Sequence, residues 1–218
     1  MDCNLPPPIA LIKSRAMSQT TFAPRPISAE AAHANENRKF GMWLFLSSEL
    51  LIFAGLIGAF VLTRRNAFQN GLEWWEPNAF SLALVSINTF ILLASSLMVV
   101  LGIEAIRVDH LRKLQRYLIL TAILGAMFLG GQAIEYSLLI FEEGHSFADP
   151  FGTAFFTLTG IHGLHVFVGV LWCLMTLLVA RRGTFSSYNY TTVEIFGLYW
   201  HFVDLIWVII FTVVYLTN

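Results

Sequence analysis

The chain has 218 residues and a formal net charge of −1. Only 12% of it is charged, against 56% hydrophobic residues and a mean hydropathy of +0.67. A soluble domain carries about twice that share of charge, so the composition excludes an ordinary soluble globule and points to an integral membrane protein. The near-neutral balance gives no reason to expect nucleic acid as a partner.

Residues 1–39 are rich in Pro, Ala and Ser and read as a polar N-terminal arm, either disordered or packed on a partner. The apolar stretch Ile9 to Ile12 is too short for a signal-peptide core and follows Pro6, Pro7 and Pro8, so no signal peptide is expected. Residues 40–218 form the membrane domain. Windows of about 20 apolar residues mark transmembrane helices. They predict spans near Phe40 to Thr63, Phe80 to Ile103, Tyr117 to Leu139, Thr153 to Val179 and Val193 to Leu216. The fold class expected is an all-α integral membrane bundle of five transmembrane helices. Short loops make neighbouring helices antiparallel.

Lys and Arg lie mostly on one side. The arm holds Lys13, Arg15, Arg25, Arg38 and Lys39; the loop after span two holds Arg107, Arg112, Lys113 and Arg116; the loop after span four holds Arg181 and Arg182. The other side has Arg64 and Arg65. By the positive-inside rule the N-terminus is cytoplasmic and the C-terminus outside. Gly55, Gly58, Gly130, Gly131, Gly160, Gly163 and Gly169 lie within the spans; small residues there allow close helix packing. Cys3 in the arm and Cys173 in span four are too far apart to meet, so no disulfide is expected.

The polar residues inside the spans carry the functional question. Glu49 lies about eight residues into span one, roughly 12 Å from its cytoplasmic end. An ionised carboxylate there costs about 2.5–3.5 kcal/mol. It should therefore face the bundle or a lipid headgroup, or stay protonated. Glu135 lies near the outer end of span three, satisfied there by water or another subunit, or else in a buried pair. In TGIHGLHVFVG (159–169), His162 and His165 share one helix face. They must meet a partner, water, a headgroup or a metal. His201 and Asp204 share a face of span five, most simply a hydrogen-bonded pair turned inward; a proton path or a metal ligand is the sharper reading. Bis-histidine haem needs ligands on facing helices, which only His201 offers to His162 or His165. A dinuclear site wants Glu-x-x-His pairs, which the chain lacks. No metal site is expected.

Four blocks carry a resemblance when taken together. They are GMWLFLSSELLIFAG (41–55), INTFILLASS (87–96), GQAIEYS (131–137) with FGTAFFTLTGIHGLHVFVG (151–169), and YWHFVDLIWVIIFTVVYL (199–216). In order and spacing they resemble subunit III of the haem–copper terminal oxidases, in its five-helix bacterial form. The resemblance implies an accessory subunit without a redox centre. Haem and copper would sit in partner subunits I and II, within a proton-pumping oxidase of a bacterial cytoplasmic membrane. Subunit I would be the main partner, with further respiratory subunits possible, and membrane lipid would bind. Glu49 matches the family's carbodiimide-reactive carboxylate. His165 and Arg181 match headgroup-contacting positions, and Lys39 the basic residue before the first core helix. These four are expected to support lipid binding or proton uptake. Glu135, His162, His201 and Asp204 match motif residues with structural roles. The longer form of the family has seven helices, so one wall of its lipid cleft is missing from this chain; extra helices on subunit I are one source for it.

The donor implied is cytochrome c, with quinol as the alternative. An independent proton-coupled transporter using Glu49, His201 and Asp204 is a second class, although internal repeats are not visible. A haem-binding membrane cytochrome is a third. Depth counting places His165 roughly 10 Å farther outward than Glu49; either the span-four boundary is misplaced or the two do not share one headgroup.

Overall fold

The computed structural model describes residues 29–72, 74–75 and 78–217. These form α1 (Ala29–Gln69), α2 (Ala79–Arg107), α3 (Leu111–Phe141), α4 (Pro150–Arg181) and α5 (Thr191–Phe211), with a π-helical continuation at Thr212–Leu216. All five are long and apolar enough to cross a membrane, which gives the expected all-α bundle. Residues 1–28, and with them Cys3, lie outside the described residues. Residues 29–39, read from sequence as part of the arm, are helical and extend α1. The apolar windows mark only the lipid-crossing part of each helix; polar turns carry the helices past it.

The helices form a ring in the order α1, α4, α3, α2, α5, and α4 also meets α5 across the middle. Alternating direction brings the start of α1, the α2–α3 turn and the α4–α5 loop to one end, which holds most of the Lys and Arg. Helix starts are capped locally. Asn78 Oδ1 accepts from Ser81 N at 2.8 Å. At α4, Asp149 accepts from Gly152 N at 2.8 Å and is followed by Pro150, the residue best suited to a first helical position.

The centre is built on Trp200 of α5. A Cβ added at Gly125 of α3 would lie 2.8 Å from the Trp200 ring, and one at Gly169 of α4 would lie 2.7 Å from it. The indole thus occupies the space two glycines leave. Its Nε1 donates to Ser95 Oγ on α2 at 3.0 Å. Seven residues on, Trp207 Nε1 donates to Thr89 Oγ1 at 3.0 Å. Each hydroxyl spends its own proton on a carbonyl of its helix, Ser95 on Leu92 and Thr89 on Val85. That leaves lone pairs for the indoles.

Two side-chain amides staple α2 to α3 and α3 to α4 in the same way. Asn88 Nδ2 donates to Phe128 O at 2.9 Å, and a Cβ at Gly131 would fall 2.6 Å from Asn88 Oδ1. Gln132 Nε2 donates to Thr159 O at 2.8 Å, and a Cβ at Gly163 would fall 2.9 Å from Gln132 Oε1. Each amide holds one carbonyl of the next helix and rests its oxygen on a glycine a turn later. Gly55, Gly58 and Gly130 face open space instead, so they are not contact glycines.

At the basic end Asp109 ties two loops together. Its backbone is left-handed, at φ 58°, a region tolerated by Asp better than by most residues. Its carboxylate accepts from Ser187 N at 2.6 Å and from Ser187 Oγ at 2.7 Å. These two bonds hold its pKa below the ordinary aspartate value.

Two outcomes follow from this packing. Gly169→Ala should cost about 1–3 kcal/mol through overpacking against a rigid ring, whereas Gly55→Ala should leave stability unchanged or slightly raised; thermal unfolding in detergent separates the two. For Asp109, the folded pKa is depressed. The loop tie is therefore complete above about pH 4 and is lost as pH falls through the lower folded value. Asp109→Ala should speed hydrogen exchange of the Ser187 amide at neutral pH.

Candidate functional site

Glu49 is the midpoint of α1 and His165 lies at the middle of α4. The two helices pack side by side, and Glu49 Oε2 lies 3.1 Å from His165 Nε2. The expected depth offset is thus absent. Counting from the apolar window missed the turns by which α1 begins before Phe40, and so placed Glu49 too near its end.

The hydrogen bonds fix how many protons the pair holds. His165 Nδ1 lies 2.8 Å from Ile161 O. A carbonyl only accepts, so Nδ1 carries a proton. Nε2 then either accepts from a protonated Glu49 or donates to a carboxylate as imidazolium. Both arrangements place one proton between the residues and leave the pair neutral as a unit, the form a bilayer interior tolerates best. Phe53, one turn past Glu49, packs edge-on to His165 at 5.1 Å. Tyr199 Oη donates to His165 O at 2.9 Å. The pair is mostly covered, with side-chain exposures of 16% for His165 and 14% for Glu49. His165 opens on a groove of about 290 Å³ lined also by Phe45, Leu164, Val168, Trp172 and Tyr199.

The other candidates are dispersed. His162 is fully buried, stacked on Trp207 at 4.9 Å and flanked edge-on by Phe53 and Phe128. Neither ring nitrogen has a hydrogen-bond partner among the described residues. Its role is aromatic packing. Glu135 is buried rather than at the outer surface, and accepts from Tyr215 Oη at 2.5 Å. Tyr215 sits in the π-helical turn; such turns re-aim side chains that a regular helix would place elsewhere. His201 and Asp204 do not bond each other. His201 Nδ1 instead meets Ser96 Oγ on α2 at 2.6 Å, and Asp204 Oδ1 has no partner among the described residues.

Lys39 forms an ion pair with Glu194 at 2.6 Å, and Arg107 reaches the same carboxylate at 3.6 Å. Arg181 is exposed in the last turn of α4. It lies about 24 Å along that helix from His165, too far to share one headgroup with it. Among the described residues, no three His, Cys, Asp or Glu side chains come together as a metal-binding group. Sequence reasoning missed Glu194, Ser96, Tyr199 and Tyr215. A carboxylate in the first turn of span five, on the basic side, was a signal for Glu194; the others show only in three dimensions.

Comparison with known proteins gives a consistent result. The family model described as cytochrome c oxidase subunit III matches residues 23–218. The cytochrome c oxidase subunit 3 of Thermostichus vulcanus is 40% identical over 84% of this chain and 90% of that protein. The protein of the same name from Bacillus sp. (strain PS3) is 37% identical over 92% of this chain and 95% of its own length. A probable quinol oxidase subunit 3 from Staphylococcus aureus is 33% identical over 84% and 90% respectively.

The Glu135 contact makes a direct test. Tyr215→Phe should cost about 1–3 kcal/mol, because it leaves a buried carboxyl without its donor. Glu135→Gln should cost less, since the amide oxygen still accepts from Tyr215. Unfolding midpoints of the two variants should rank in that order.

Proposed function

The chain belongs to the cytochrome c oxidase subunit III family, and from that premise we propose that it is the accessory, non-redox subunit of a proton-pumping cytochrome c oxidase. The observation that carries this reading is the match over residues 23–218, which takes in all five spans. In this reading haem and copper belong to the partner subunits I and II, and subunit I is the neighbour this chain supports. The basic end faces the cytoplasm, in keeping with the excess of Lys and Arg there, and the membrane is the bacterial cytoplasmic membrane.

The Glu49–His165 pair acts as a polar contact at mid-membrane, toward bound lipid or a neighbouring subunit, and supports proton uptake indirectly. One proton shared between the residues keeps the pair neutral while still offering a hydrogen bond at the groove. Lys39 serves a different end. Its ion pair with Glu194 anchors the start of α1 to α5. Arg181, free at the rim, is available to a headgroup. Cytochrome c is the donor we favour, since the relatives at 40% and 37% identity carry that name; a partner subunit bearing a dicopper motif would settle this against quinol.

Affinity purification of the tagged chain from its native membrane tests the reading. A haem-bearing partner should co-purify, and isolation of a stable, solitary, haem-free protein would overturn it. Within the complex, Glu49→Gln should leave oxygen reduction largely intact, because in this reading the carboxylate is not in the redox path and the amide can either donate to or accept from His165 Nε2. Glu49→Lys should reduce the yield of assembled complex, because it sets a second cation source beside the imidazole. Complete loss of oxygen uptake in a fully assembled Glu49→Gln complex would instead make Glu49 catalytic.

A further inference from the structure

We propose that Asp204, Ser96 and His201 form a proton relay, which joins the middle of the bundle to its basic end along the groove between α1 and α5. Asp204 lies midway along the span Thr191–Leu216 and is buried. Its Oδ1 has no hydrogen-bond partner among the described residues, and it enters no ion pair with them. An unpaired carboxylate is costly at that depth, so the group rests as the neutral acid. Its carboxyl faces Ser96 of α2, and Ser96 Oγ lies 2.6 Å from His201 Nδ1. Two helices thus set an acid, a hydroxyl and an imidazole in one row.

That row can pass a proton with every atom accounted for. At rest Asp204 donates to Ser96 Oγ, Ser96 donates to His201 Nδ1, and the ring carries its own proton on Nε2. When each proton moves one place, Asp204 becomes a carboxylate, Ser96 keeps its hydroxyl, and His201 becomes imidazolium. The imidazolium then releases its Nε2 proton, and a proton returning to Nε2 reverses the sequence and restores the acid. The other intramembrane titratable groups stand apart from this row. Glu49 pairs with His165, Glu135 accepts from Tyr215, and His162 is enclosed by aromatic rings.

His201 is the point where the row meets the surface. It lines two grooves, of about 310 and 340 Å³, which share Trp43 and Leu198 with it. The smaller groove leads to Glu194, Lys39 and Arg107 at the basic end. Glu194 is seven residues from His201, about 10 Å along α5. Among the described residues the row does not continue beyond Asp204. One turn on, Trp207 Nε1 donates to Thr89 Oγ1, whose own proton goes to Val85 O, and the next buried residue of α5 is Ile210. The relay therefore exchanges protons with one end only and stores one at mid-membrane, which is not the behaviour of a transporter.

The test follows the Asp204 carboxyl by infrared spectroscopy in the purified complex containing the full chain, with aspartate carboxyls isotope-labelled and Asp204→Asn as the reference. The wild type should show a protonated C=O band at neutral pH, and that band should shift on transfer to heavy water. Ser96→Ala should slow the shift about a hundredfold. Ser96→Thr should restore it, since it keeps the hydroxyl. His201→Gln should slow it as Ser96→Ala does, since an amide accepts from Ser96 but shuttles no proton. Absence of the band in the wild type would overturn the proposal. So would exchange at the wild-type rate in an assembled Ser96→Ala or His201→Gln complex, the result a hydroxyl or ring with a packing role alone would give. If Asp204→Asn fails to accumulate, Asp204→Glu is the reference, because it removes the labelled group and keeps an acid. Because the readout is exchange at one carboxyl rather than oxygen uptake, its outcome is independent of the oxidase assignment.

Discussion

The packing of Trp200 between Gly125 and Gly169 is the contact on which the bundle depends. In lipid there is no hydrophobic drive to bring helices together, since the tails are as apolar as the side chains. Close van der Waals fit and interhelical hydrogen bonds must do that work. One indole from α5 reaches three other helices. It fills the hollows of α3 and α4 and donates its N–H to Ser95 of α2. A side chain of this size fits only because both neighbouring positions lack a Cβ. The glycines and the tryptophan therefore form one unit, and none of the three has the same meaning alone.

Around this centre several polar groups find their partner on a neighbouring helix. Asn88 and Gln132 give their N–H groups to carbonyls of the next helix and rest their oxygens on Gly131 and Gly163. Glu135 takes its proton donor from Tyr215 and His201 its partner from Ser96. Gln132 Oε1 and Asp204 Oδ1 lack a hydrogen-bond partner among the described residues, and His162 departs furthest, with two unpartnered nitrogens. Its ring is compensated by stacking on Trp207 and by the edges of Phe53 and Phe128. An imidazole that is neutral, flat and narrower than an indole suits a slot between three aromatic rings. Its presence in the sequence motif therefore says more about packing than about chemistry.

Much of this was legible in the sequence because the bilayer imposes a simple rule. A run of about 20 apolar residues must be a helix across the membrane, so the number and order of spans follow directly. Helix ends were not legible, because polar turns continue a helix beyond the lipid without an apolar signature. That error moved Glu49 and His165 to different depths, although each sits at the middle of its helix. The i, i+3 spacing of His201 and Asp204 placed them on one face, as it must, but left open which helix would satisfy them. Nor does sequence separate Gly55, which faces open space, from Gly169, which meets a ring. That distinction belongs to the neighbour rather than to the glycine.

The attachment of α1 follows from the same physics. Much of its length is apolar and outward-facing, with Phe40, Leu44, Leu51 and Leu62 all exposed, so close packing alone holds it weakly. Polar ties at three levels make up the difference. Lys39 meets Glu194 at the basic end, Glu49 meets His165 at the middle, and Arg64 Nη1 donates to Thr217 Oγ1 at the far end at 3.3 Å. Each tie spans to α4, to α5 or to the π-helical segment's end, and each is more directional than a methyl contact. A helix fixed at three points can leave its outer face free without losing its register. The carboxylate at mid-membrane thus has a structural reason to exist in this chain, quite apart from whatever approaches that face.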